Sequence, residues 1–119
     1  MEYKLTLPYP PSVNRLYVRN RYGGVSLSAE AQAFKAGVAV VVFNARITEP
    51  LTGALGIEIQ VYRKAERGDL DNILKITLDS LNKKLWDDDR QIVALHAFRY
   101  QDKHDPRLLI HVWQMKESK

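Results

Sequence analysis

Leu55-Gly56-Ile57-Glu58-Ile59-Gln60-Val61-Tyr62 alternates large apolar residues with polar or small ones. That is the period of a β-strand with one buried face. Pro50 and Gly53 separate it from the segment before it, and the charged, irregular run Arg63 to Gly68 follows. Leu74, Leu78, Leu81 and Leu85 then recur at i, i+4, i+7 and i+11, which predicts an amphipathic helix beginning near Asp71. A strand followed, through a charged connection, by a helix is the unit around which the rest of the chain is arranged.

Upstream, Ser28 is a helix N-cap candidate and Glu30 places a carboxylate in the first turn. Ala31, Phe34, Val38, Val41, Val42 and Ala45 follow at helical spacing, so a helix is expected over about 29–47. Tyr3, Leu5 and Leu7 alternate with Lys4 and Thr6 as a first strand ending at Pro8. Between Pro8 and Gly24, Pro, Asn, Arg, Tyr and Gly predict a long loop or arm without regular structure. Residues 91–100 and 107–115 are rich in β-branched and aromatic types, and Asp105-Pro106 is a turn signal between them, so they are expected to form a terminal hairpin. The order β-α-β-α-β-β implies an α+β fold: a small mixed sheet of about four strands carrying two main helices, in a single domain spanning 1–119.

Composition narrows the function classes. With 45% hydrophobic and 27% charged residues over 119 positions, the chain has the make-up of an ordinary globular domain rather than a disordered one. It has no cysteine, which excludes disulfides, thiolate metal sites and a cysteine nucleophile. The N-terminus lacks the apolar run of a signal peptide and no apolar stretch approaches ~18 residues, so a cytoplasmic protein without membrane association is expected. A net charge of +4 favours a polyanionic partner.

Asp69 and Asp71 are two residues apart where the strand gives way to the helix, so in extended chain both carboxylates face the same way. Two carboxylates ~4 Å apart repel by ~1 kcal/mol in water and by more in a less polar site; a divalent cation reverses that. Hard ions such as Mg²⁺ take oxygen ligands, often one or two carboxylates with substrate phosphates completing the shell. A bland reading competes: Asp71 as a helix cap and Asp69 as a solvated loop residue. The run Asp87-Asp88-Asp89 after Trp86 is either a solubilising turn or a second acidic group returning to the same end of the sheet. Acids at a helix C-terminus oppose the dipole, so something should compensate them. Lys75 lies four residues after Asp71 and four before Asp79, which allows an i,i+4 ion-pair ladder or a cation that stabilises a phosphate. His96, His104 and His111 lack metal-ligand spacing and are expected to be structural or surface residues.

Arg15, Tyr17, Arg19, Arg21 and Tyr22 place cations and rings on the arm, which suits phosphate contact and base stacking, with Asn14 setting its conformation. A ligand-free basic loop is the alternative. Arg63, Lys64 and Arg67 lead straight into Asp69, and positive charge beside acids makes sense for a phosphodiester held next to a metal.

Four ordered segments resemble the RusA-type Holliday junction resolvases of bacteria and phages: Leu7-Pro8-Tyr9-Pro10-Pro11-Ser12-Val13-Asn14, Ser28-Ala29-Glu30-Ala31-Gln32, Arg67-Gly68-Asp69-Leu70-Asp71-Asn72 with Lys75, and Trp86-Asp87-Asp88-Asp89-Arg90-Gln91-Ile92. The resemblance implies an endodeoxyribonuclease that acts as a homodimer on four-way DNA junctions. It implies paired symmetric nicks made with Mg²⁺, for which Mn²⁺ substitutes, and no small-molecule cofactor. It implies catalytic roles for Asp69, Asp71, Asp89 and Lys75, with Asp69, Asp71, Asp89 and an auxiliary Asp88 as metal ligands. Asn14, Arg15, Arg19, Arg21 and Arg67 are the expected DNA contacts. Asp89 is selected because the family's essential acid precedes x-Gln by one place. Asp87 stands where the pattern has an apolar residue, and Glu66 interrupts a stretch that is usually richer in arginine. The competing classes are a non-catalytic junction- or single-strand-binding module and a structural protein.

Overall fold

A computed structural model describes residues 1–12, 15–64 and 70–115. In chain order these form β1 (Glu2–Pro8), β2 (Tyr17–Arg19), β3 (Val25–Leu27), α1 (Ala29–Asn44), β4 (Leu55–Arg63), α2 (Leu70–Leu81), β5 (Ile92–Gln101) and β6 (Arg107–Gln114). Four strands make a mixed sheet in the order β1-β6-β4-β5, and β2 pairs with β3 in a separate two-stranded sheet. The expected α+β arrangement is present. Two details of the strand pairing differ from expectation.

First, β5 and β6 do not form a hairpin. β6 lies antiparallel between β1 and β4, while β5 pairs in parallel with the other side of β4. The alternation of each strand explains the placement. Leu108, Ile110 and Val112 of β6 are buried, whereas β5 has no fully buried residue and leaves Val93, Leu95, Phe98 and Tyr100 exposed. The strand with the stronger apolar face occupies the interior position. Second, the arm is not irregular throughout: Tyr17-Val18-Arg19 and Val25-Ser26-Leu27 pair in antiparallel register. Their turn is closed by Asn20, whose Oδ1 accepts from the backbone N–H of Tyr22 and of Gly24, each at 3.0 Å. Gly23 takes φ +80° there, a conformation that favours glycine.

The core lies between one sheet face and the helices. Leu5 and Leu7 of β1, Leu55, Ile57, Ile59 and Val61 of β4, and Leu108, Ile110 and Val112 of β6 meet Phe34, Val38 and Val42 of α1 and Ile73 and Leu81 of α2. Ser28 caps α1 as expected, accepting from the Ala31 N–H at 3.0 Å and donating to the Arg15 carbonyl. The helix ends at Asn44, three residues before the expected limit, and Arg46 takes φ 61° just beyond it. The opposite sheet face carries Tyr62, stacked on Tyr100 at 5.1 Å and covered by the Arg107 guanidinium at 4.1 Å. Trp113 lies so close over Gly56 that a Cβ there would meet its ring at 2.4 Å.

The course of α2 positions the site. β4 and β5 run in parallel from Leu55↔Ile92 to Arg63↔Gln101, so α2 carries the chain from the Arg63 end of the sheet back to the Leu55 end. It stops at Leu81, where Lys83 takes φ 71° and donates its N–H to the Trp86 carbonyl at 2.7 Å. The buried stripe is Ile73, Thr77, Ser80 and Leu81, with Leu74 and Leu78 only partly covered. Leu85, expected on the helix, is buried in the turn after it.

Candidate active site

Asp71 stands in the first turn of α2, where the helix dipole favours a carboxylate. It is exposed, as are Lys75 and Asp79 one and two turns further on, so the three form one solvent-facing row. The possible ion-pair ladder along that row does not form: among the described residues Lys75 has no carboxylate partner. Its ammonium is not committed to Asp71 or Asp79. Asp69, Arg67 and Asn14 lie outside the described residues.

The acidic run is built differently. After α2, Trp86 is fully buried and forms isolated bridges with Leu51 and Asn82. Asp89, Arg90 and Gln91 make a single 3₁₀ turn capped by Asp88. The Asp88 Oδ1 accepts from the Arg90 N–H at 2.9 Å, and a reciprocal capping box links its side chain to the Gln91 N–H. The Asp89 Oδ1 accepts from the indole Nε1–H of Trp86 at 2.7 Å. Gln91 uses both ends of its amide. Its Oε1 accepts from the N–H groups of Asp87 (2.9 Å) and Asp88 (3.0 Å), and its Nε2 donates to the carbonyls of Leu51 (2.9 Å) and Gly53 (3.0 Å). The compensation that three acids after a helix demand is therefore partly supplied by the chain itself, through a cap and an indole N–H.

Asp71 and the run Asp87 to Asp89 do not meet within one chain. The expectation that Asp87 to Asp89 return to the Asp71 end of the sheet is corrected by the topology: the run precedes Ile92, which pairs with Leu55 at the other end. Asp71 and the end of α2 are separated by ten residues of helix, about 15 Å at 1.5 Å per residue. Among the described residues no three His, Asp or Glu side chains come close enough to hold a metal ion.

The basic arm sits over the helices. Leu16, Tyr17 and Leu27 from the hairpin, Ala31, Phe34 and Lys35 from α1, and Ile76, Asp79 and Ser80 from α2 line a shallow cavity of about 100 Å³. The hairpin thus borders the exposed row of α2. Arg15, Arg19 and Arg21 are exposed, with Arg15 3.7 Å from Glu30. Tyr22, at the hairpin tip, is 88% exposed, which leaves its ring free to stack. Of the histidines, His111 is 2.7 Å from Glu2 and tilted against Trp113, His96 is exposed on β5, and the His104 N–H donates to Asp102.

The family model for endodeoxyribonuclease RusA matches residues 8–113, a span that contains every candidate site residue. The crossover junction endodeoxyribonuclease RusA of Escherichia coli strain K12 is 36% identical over 115 residues, 95% of each chain. The chain belongs to the RusA family. The RusA relative from Enterobacteria phage 82 is 35% identical over the same 95% of both chains, and that of Escherichia coli O139:H28 is 41% identical over 76% of this chain and 77% of its own.

Within this RusA-family chain, Trp86 and Gln91 bond to Asp89 and to its turn, although residue type alone does not mark either as part of the site. A signal for the second was present: Asp88-Asp89-Arg90-Gln91 has the D-x-x-Q spacing of a capping box. Nothing in the sequence marks the Trp86 indole as a donor to Asp89, because that bond depends on how the turn folds back over the buried ring.

Proposed function

We propose that this protein is a structure-selective endodeoxyribonuclease that resolves Holliday junctions by paired, symmetric, metal-dependent nicks in recombination and repair. The observation that carries the proposal is the match along 95% of the chain to proteins named crossover junction endodeoxyribonuclease. The exposed row with Asp71 and Lys75, and the basic hairpin beside it, suit a phosphodiester substrate.

The proposed cofactor is Mg²⁺, with Mn²⁺ able to replace it. The donor chemistry fits a hard cation, since the candidate ligands are carboxylates and Asp71 and Asp89 are exposed. The spatial fit requires two chains, because α2 separates Asp71 from Asp89 in one. Asp69 and Asp71 of one subunit, with Asp89 of a second and Asp88 beside it, would hold the ion. When bound, the cation activates water and neutralises charge on the scissile phosphate. Lys75, without a partner among the described residues, is available to a phosphate oxygen. Arg15, Arg19 and Arg21, with Asn14 and Arg67, hold the DNA backbone.

Support for a homodimer comes from β5. It is an edge strand with Val93 exposed to 60% and Leu95, Phe98 and Tyr100 to 44% each, an apolar edge of the kind that invites a partner. A two-fold pair would carry two sites, matching the symmetry of a junction. Among the described residues no helix is long and apolar enough to cross a membrane, and a cytoplasmic location is part of the proposal. The test is incubation with four-way junction, duplex and single-stranded DNA, in Mg²⁺ and in chelator. Paired nicks confined to the junction with Mg²⁺ are expected, and Asp71→Asn should abolish them while leaving binding in place. Junction binding without any cleavage would instead establish a non-catalytic binding module.

A further inference from the structure

A carboxylate that serves as a metal ligand must present a free oxygen in a fixed direction, and an exposed aspartate on a loop ordinarily rotates about two side-chain bonds. Asp89 is exposed, yet two residues behind it restrain that freedom. The Nε1–H of Trp86 holds its Oδ1 at 2.7 Å, and the ring that carries this donor is fully buried and cannot swing. Oδ2 is left for another partner. Gln91 then fixes the turn: its amide makes four hydrogen bonds, two to the N–H groups of Asp87 and Asp88 and two to the carbonyls of Leu51 and Gly53. These join the acidic run to a segment about forty residues earlier in the chain. A solubilising turn requires neither restraint.

We infer that Trp86 and Gln91 are positioning residues for Asp89, Trp86 setting the carboxylate plane and Gln91 holding the turn that carries it. The inference rests on the reading of Asp89 as a metal ligand. It predicts that loss of the indole donor weakens use of the metal ahead of DNA binding. Outer partners of metal ligands typically contribute ~10- to 100-fold in metal affinity or activity.

The experiment combines cleavage with nuclear magnetic resonance of the two tryptophan indole N–H groups. In Trp86→Phe the Mg²⁺ concentration giving half-maximal junction cleavage should rise by at least about tenfold, with junction affinity in chelator unchanged. Gln91→Glu, which loses the donor to Leu51 and Gly53, should move the same half-saturation in the same direction. In the otherwise unaltered protein, one indole resonance should shift upfield on Asp89→Asn, and Mn²⁺ should broaden that resonance only while Asp89 is present. This arm reads the Trp86–Asp89 bond even if Trp86→Phe fails to fold. An indole spectrum indifferent to Asp89→Asn overturns the inference, as does a folded Trp86→Phe with unaltered metal dependence. Asp89→Asn in the cleavage assay separates the two levels. If it cleaves normally, the metal-site reading itself fails. If it is inactive while Trp86→Phe behaves as wild type, only the positioning role fails.

Discussion

Asp71 and Asp89 stand at opposite ends of α2, the first in its opening turn and the second in the 3₁₀ turn that follows its C-terminal end and leads into β5. If both serve one cation, two chains must each contribute one. Asp71→Asn and Asp89→Asn homodimers should each be inactive, but a mixture should regain activity, because each heterodimer has one site with both acids intact and one with neither. With random reassortment about half the dimers are mixed, so about a quarter of the sites are restored. On a plasmid bearing an extruded cruciform the mixture should yield nicked circles rather than linear DNA. Absence of any recovery after the subunits are shown to have exchanged would place both acids in a single-chain function.

Lys75 is exposed on the same row as Asp71 and forms no ion pair among the described residues. Its removal therefore relinquishes little structural stabilisation. Lys75→Ala should leave the unfolding midpoint and junction affinity close to wild type while slowing single-turnover nicking by ~10²- to 10³-fold, the cost of deleting one preorganised charge-stabilising donor. A large loss of stability with unaltered rate would return Lys75 to a structural role.

Arg19 and Arg21 are exposed on and at the tip of a hairpin that packs over α1 and α2. Their replacement by alanine should weaken junction binding without altering the helix content. If each contacts one phosphate, each substitution should reduce the slope of log affinity against log salt by about 0.9. Filter binding over a series of salt concentrations measures this directly, and an unchanged slope would remove these residues from the interface.

Asp102 closes the turn between β5 and β6. Its Oδ2 accepts from Arg107 at 2.7 Å and its Oδ1 accepts from the N–H groups of His104 and Asp105 at 3.1 Å each. The Arg107 hydrogen bond first, and then the two backbone donors, hold its carboxyl below the ordinary value of 3.8. A carboxyl whose folded pKa is depressed contributes stability above its unfolded pKa and loses it as pH falls through the folded one. Asp102→Asn should therefore lower the urea midpoint at pH 7, and its difference from wild type should shrink progressively below pH 3.8. A difference that stays constant from pH 7 into that acid range would exclude the linkage.

Local pattern made most elements legible. The alternation in Leu55–Arg63, the Ser28 cap with its helical stripe, and the apolar spacing after Asp71 all depend on near neighbours, and the corresponding strand and helices formed there. Asn20 and Gly23 are local signals of the hairpin turn inside the arm, but the Pro, Arg and Gly around them suit an irregular loop equally well. The expected pairing of β5 with β6 does not form, because an Asp-Pro turn shows that a chain reverses without showing which strand it then joins. Three-dimensional order decided that β6 enters the sheet beside β4 and leaves β5 at the edge.

By itself the sequence determined the residue types available for chemistry: oxygen ligands without thiolates, a lysine one turn from Asp71, and cations with rings on the arm. It also determined the elements that carry them, since caps and periodicity act over a few residues. Only the tertiary structure decided that α2 holds Asp71 away from Asp89, that Lys75 leaves both neighbouring carboxylates unpaired among the described residues, and that a buried indole donates to Asp89. Those relationships arise from the direction in which a helix returns across a sheet and from a turn pinned by Gln91 to a segment about forty residues away. Neither is encoded in any short stretch of chain.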